Sequence, residues 1–144
     1  MNAIAEDLWP TDIAVDKVQT PVSILRAQAA RLGQKTRNLV EGRVDTLARE
    51  GRIYHRLKLV APALDNYTYD LLRISHRATI YPIRVDDEPE RNVNERPVPA
   101  RRKLLRTEEE FVKWLRSALA SEQTRRVVEA LVSQSADWTT VPKH

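Results

Sequence analysis

Apolar residues recur along this chain with two periods, and the change from one to the other marks its elements. Val22, Leu25, Ala29 and Leu32 fall at helical spacing, with Arg26, Gln28 and Arg31 beside or opposite them. Thr20-Pro21 opens that helix: the threonine hydroxyl accepts from first-turn N–H groups, and proline at the first helical position has none to leave unbonded. Gly33 is the expected stop. From Asn38 the period falls to two. Val40, Gly42, Val44 and Thr46 alternate with Glu41, Arg43 and Asp45, predicting a half-buried strand.

Glu50-Gly51 reads as a turn, and Ile53, His55, Leu57 and Leu59 then alternate with Tyr54, Arg56 and Lys58 in a second strand that Pro62 ends. After a turn at Leu64-Asp65-Asn66, Tyr67 to His76 predicts a third strand. Leu72, Ile74 and His76 fall on one side of it, and Tyr69, Leu71, Arg73 and Ser75 on the other. Thr79 to Val85 is a fourth, which Pro82 places at an edge or a bulge. Short connections between consecutive strands imply an antiparallel meander.

Residues 86–100 are rich in Pro, Asn, Asp and Glu and read as a solvated loop. Thr107 and Glu110 form a capping box for a helix whose buried face is Phe111, Trp114, Leu115, Ala118 and Leu119. Ser121 caps a further helix with Val127, Val128, Leu131 and Val132 toward the core. The expected fold is α+β in the order α-β-β-β-β-α-α, its helices covering one face of a four-stranded sheet. Residues 1–19 are an extended arm held to the body through Leu8, Trp9 and Ile13, residues 20–135 a single domain, and residues 136–144 a tail.

Length changes this picture little, since 144 residues suit one domain with an ordinary core. Composition excludes more. With no cysteine, disulfides, thiolate metal sites and thiol catalysis are out. Three glycines, at Gly33, Gly42 and Gly51, cannot build a phosphate loop or a dinucleotide fingerprint. No secretory leader and no long apolar run is visible, so the expected location is the cytoplasm, with no membrane partner.

The net charge of +4 is unevenly spread. Residues 1–20 are acidic, residues 21–60 basic, and a second basic cluster follows at Arg101, Arg102, Lys103 and Arg106. On the predicted strands Arg43, Arg56, Lys58 and Arg73 can share one sheet face with Tyr54 and Tyr69, the arrangement of cations and stacking rings that single-stranded nucleic acid uses. Glu41 and Asp45 belong to the same alternation set as Arg43, so a solvated face of cross-strand ion pairs is the plainer reading. Asp65, Asn66, Tyr67 and Tyr69 form a polar, aromatic turn, a candidate recognition rim.

His55 and His76 sit on predicted strands among apolar neighbours and read as hydrogen-bonded sheet residues rather than metal ligands. Ser75 and His76 are adjacent on one strand, so their side chains point to opposite faces and form no dyad. Three segments, residues 21–29, 59–67 and 80–83, are similar to a family of small uncharacterised bacterial proteins; the resemblance implies a bacterial cytoplasmic origin and no activity. The expectation is a non-enzymatic protein without cofactor or metal that binds a protein partner, a second copy of itself included. Nucleic acid is the alternative partner, and a small hydrolase built on Asp65, Asp70 and His76 comes third.

Overall fold

The computed structural model describes residues 5–13, 19–86 and 103–140. Thr20 and Pro21 start the first helix as expected: the Thr20 hydroxyl accepts from the Ser23 N–H at 3.2 Å. Helix α1 (Pro21–Lys35) is followed by strands β1 (Glu41–Arg49), β2 (Arg52–Ala61), β3 (Tyr67–His76), β4 (Ile83–Val85) and β5 (Leu104–Leu105), then by α2 (Glu108–Leu119) and α3 (Glu122–Thr140). The strands pair antiparallel in the order β1-β2-β3-β4-β5. This is the α+β meander with a C-terminal helical pair, but the sheet has five strands rather than four.

The fifth strand falls where the chain reads as a basic cluster. Leu104 pairs with Arg84 and Leu105 with Ile83, and Leu105 is buried. Two residues are too few to show an alternation, so nothing marks them as a strand beforehand. Strand β4 is shorter than Thr79 to Val85 because Pro82 has no N–H for a ladder, and the chain bends before it with Ile80 at φ 75°.

Both ends of the helical segments also shift. Gly33 does not stop α1, which runs on to Lys35. The reversal comes at Arg37 and Asn38, whose φ values are 52° and 63°. There the Thr36 hydroxyl accepts from the Val40 N–H (3.2 Å) and lies 2.9 Å from the Val40 carbonyl. Gly33 is buried instead. Helix α3 continues to Thr140, through residues expected in the tail. The capping box of α2 forms, with the Glu110 N–H donating to the Thr107 hydroxyl at 3.1 Å. The Glu110 carboxylate reaches back to the Arg106 N–H at 2.6 Å, one residue before the cap.

Register explains the two faces of the sheet. Gly42, Val44 and Thr46 of β1 lie opposite Leu59, Leu57 and His55 of β2, and this side faces the helices. Arg43 and Asp45 lie opposite Lys58 and Arg56 on the open side. Between β2 and β3 the register slips: Leu57 pairs with Leu72 but Lys58 with Asp70, leaving Leu71 as an extra residue. That bulge carries Tyr69 and Leu71 to the helix side, against the simple alternation expected. It also puts Asp70 on the open face with Arg73, two positions that a regular strand would point oppositely.

The helices cover one side of the sheet. Helix α1 lies on β1 so closely that a Cβ on Gly42 would sit 2.7 Å from both Cα and Cβ of Ala29. The apolar core on this side is in two parts. One gathers Leu25, Leu57, Ile74, Ile83, Phe111 and Leu115 beneath α1 and α2. The other joins Val40, Leu59, Ala61 and Leu131 beneath α3. Leu71, the bulge residue, touches both.

Candidate functional site

The structure brings Arg43, Tyr54, Arg56, Lys58 and Arg73 onto the open face, as the alternation implies, and brings carboxylates with them. Arg43 lies 3.2 Å from Glu41, Lys58 2.8 Å and Arg56 2.9 Å from Asp45, and Arg73 2.6 Å and Arg56 3.4 Å from Asp70. Arg56 thus bridges Asp45 on β1 to Asp70 on β3. Hydrogen bonds from Arg56 first and Lys58 second hold the Asp45 carboxyl below its ordinary value. A polyanion approaching these four cations must displace their carboxylates, whereas Arg52 of β2 on the same face bonds the Ser75 hydroxyl at 3.2 Å and has no ion pair among the described residues. Tyr54 lines a shallow hollow of about 420 Å³ here, with Leu47, Arg84 and Asp86 also at its wall.

The other predicted residues are not part of that face. Lys103 and Arg106 flank β5, at the sheet edge opposite β1, and Arg101 and Arg102 lie outside the described residues. Tyr69 is on the helix side. Asp65 and Asn66 form the turn before β3, each with φ 56°. Tyr67 and Tyr69 meet Val127, Leu131 and Gln134 of α3 around a hollow of about 430 Å³. The hydrolase constellation does not assemble: Asp65 precedes β3 and His76 ends it, roughly 30 Å along an extended strand.

His76 has a different partner. Both histidines are buried, at 3% and 5% exposure, and their Nε2 atoms are 2.8 Å apart. His76 Nδ1 lies 2.9 Å from the Arg77 carbonyl, which can only accept, so Nδ1 carries the proton and Nε2 is left as acceptor. His55 Nε2–H therefore donates to His76. That leaves His55 Nδ1 to accept from the Thr46 hydroxyl at 2.9 Å. Thr46 to Arg77 is one chain of hydrogen bonds running through both rings. Burial first, then the neighbouring His76 and Arg26, push His55 down from 6.5 to about 4. Among the described residues no group of three or more His, Asp or Glu side chains gathers as a metal site. The pair is structural, and its cross-strand contact depends on a register that no spacing reveals.

A hollow larger than those lined by Tyr54 and by Tyr67 lies on the helix side, where no sequence motif pointed. It is a cleft of about 860 Å³ between α1 and the α2–α3 turn, and the sheet forms its floor. Gly42, Leu57, Leu59 and Leu71 lie at the bottom, so the cleft opens where the two parts of the core meet. Ala29 and Leu32 form one wall; Leu119 and Val128 form the other. Its polar groups are few. The Thr124 hydroxyl is engaged with the Ala118 carbonyl at 2.8 Å, and Arg125 with Glu129 at 2.9 Å. On the α1 rim stand Arg31 and Lys35, exposed and without an ion pair to any described residue. Such a lining holds apolar groups and attracts negative charge, and it offers no nucleophile beside a base.

No protein-family model, curated protein or solved structure matches this chain. The residues themselves are the ground for a functional reading.

Proposed function

We propose that this chain is a small cytoplasmic binding protein whose partner is a polypeptide segment held in the cleft between α1 and the α2–α3 pair. The observation that carries the reading is the divided core. The floor residues Leu57 and Leu59 are buried, while Leu32, Leu71, Leu119 and Val128 around the hollow are only partly covered, and partly covered aliphatic groups around a hollow of this volume support a binding groove. The floor residues are aliphatic and the rim beside them is cationic. That combination suits a segment with apolar side chains flanked by carboxylates, laid between two helices in the helix-in-groove manner. The lack of cysteine fits a reducing compartment, which supports the cytoplasmic placement. No helix among the described residues is long and apolar enough to cross a membrane.

Nucleic acid on the open sheet face is the weaker reading, because Arg43, Arg56, Lys58 and Arg73 there already have carboxylates. The cleft reading is tested by placing a photo-crosslinking residue at Gln28 or Ala120, both on the cleft wall. A covalent adduct to a polypeptide, lost when Val128→Asp puts a charge on the wall, is the expected result. Adducts to lipid or small molecules alone would sink it.

A further inference from the structure

We propose that the segment bound in the cleft is the acidic N-terminal stretch of a second copy of this chain, seated through Leu8, Trp9 and Ile13. The inference rests on the reading that the cleft takes a polypeptide, and it names which one.

Two features of the same chain are each incomplete and complement one another. Leu8, Trp9 and Ile13 were expected to pin the arm to the body, yet they are 82%, 75% and 62% exposed. Three large apolar side chains within a few residues form no core of their own. The turns around them, with Trp9 N–H donating to the Asp7 carboxylate at 3.0 Å and Ile13 N–H to the Pro10 carbonyl at 3.4 Å, are local. The cleft is the reverse case: Leu32, Leu71, Leu119 and Val128 around it are only partly covered, and no described residue of the arm lies at its wall. Its volume is that of several large side chains, and Trp with Leu is the pairing that most often anchors a groove-bound segment.

Charge agrees with shape. Between residues 5 and 13 the arm carries Glu6, Asp7 and Asp12 and no base. The α1 rim of the cleft carries Arg31 and Lys35. Opposite charges at the rim steer the approach while the apolar groups supply the affinity.

The single chain leaves arm and cleft uncovered together, so a second copy is the occupant that satisfies both. With one arm and one cleft per copy, reciprocal exchange about a twofold axis closes the assembly as a dimer.

Sedimentation of the full chain over a range of concentrations tests this. A monomer–dimer equilibrium is expected. Trp9→Ala should raise its dissociation constant about thirtyfold, and so should Arg31→Glu combined with Lys35→Glu. Adding Glu6→Lys and Asp7→Lys to that double variant should recover part of the loss. All these substitutions are exposed, so unchanged circular dichroism is expected throughout. Mixing Trp9→Ala chains with charge-reversed-rim chains should give pairs only where an intact arm meets an intact cleft.

A dimer indifferent to Trp9 would overturn the proposal. So would a chain that is monomeric at every concentration, whether Trp9 fluorescence reports an exposed ring or one buried in its own cleft. If a monomeric chain still crosslinks from Gln28 to some other polypeptide, the cleft reading survives and only the identity of its occupant falls. If it crosslinks to none, both fall.

Discussion

The two faces of the sheet handle exposure in opposite ways. On the open face the central strand cations are matched, Asp45 and Asp70 sitting between Arg56, Lys58 and Arg73, while Arg52 bonds only the Ser75 hydroxyl. The face is charged, yet it is largely satisfied within itself. On the helix face, Leu57, Leu59 and Leu71 are apolar and mostly covered, but the cover has a gap. A count of arginines alone does not describe a binding face; what matters is which groups remain without a counterpart after folding.

The comparison can be broken first where it is strongest, in the core. Phe111 is fully buried between the sheet and α2, and Phe111→Ala should cost about 3–5 kcal/mol in urea denaturation. A loss below 1 kcal/mol would mean the cover over the helix face is looser than described.

Next comes the histidine pair, on the covered face. The unfolded chain protonates His55 near 6.5, while the folded chain resists until about 4. The folded pKa is depressed, so the unfolded state takes up the proton first as pH falls. The stability held by neutral His55 is complete above 6.5 and drains away between 6.5 and 4, by about 3 kcal/mol. Denaturation curves between pH 7.5 and 5 should show this slope, and His55→Leu should remove it whatever its own stability. A flat wild-type profile would refute a neutral His55.

Gly42→Ala should cost about 1–3 kcal/mol, because the added methyl meets Ala29 backbone and side chain at 2.7 Å and must lift α1. Since α1 is one wall of the cleft, thermal unfolding and cleft occupancy should drop together.

The smallest stability effect belongs to the open face. Asp45→Asn should change stability by less than about 1 kcal/mol, as half-exposed ion pairs do. Its informative effect is elsewhere: Asp45→Asn with Asp70→Asn should raise retention on heparin, by freeing Arg56, Lys58 and Arg73. Unchanged retention would show that the lattice does not mask these cations.

Much of this architecture is legible from local chemistry. Thr20-Pro21 and the Thr107–Glu110 box mark helix starts because caps act within four residues, and the alternation through β1 and β2 survives because their pairing is regular. What escapes notice depends on partners far along the chain. The Leu71 bulge is decided between strands, and with it go the side taken by Tyr69 and the pairing of Asp70 with Arg73. The bond from His55 to His76 needs two strands in one register. The cleft is harder still, being set by the spacing of helices rather than by any residue. The open-face ion pairs were foreseeable, since Glu41 and Asp45 stand in step with Arg43 in the sequence itself.

The two-residue strand β5 has a consequence beyond adding an edge. The Val85 N–H donates to the Lys103 carbonyl at 2.9 Å, and Ile83 faces Leu105, so backbone bonds tie together two points well separated along the chain. A loop closed at its neck is thermodynamically cheap to resize, each halving or doubling shifting stability by only about 0.6 kcal/mol. Changing the number of residues between Val85 and Lys103 should therefore shift stability by only about 0.6 kcal/mol per doubling, which urea denaturation of insertion variants would measure.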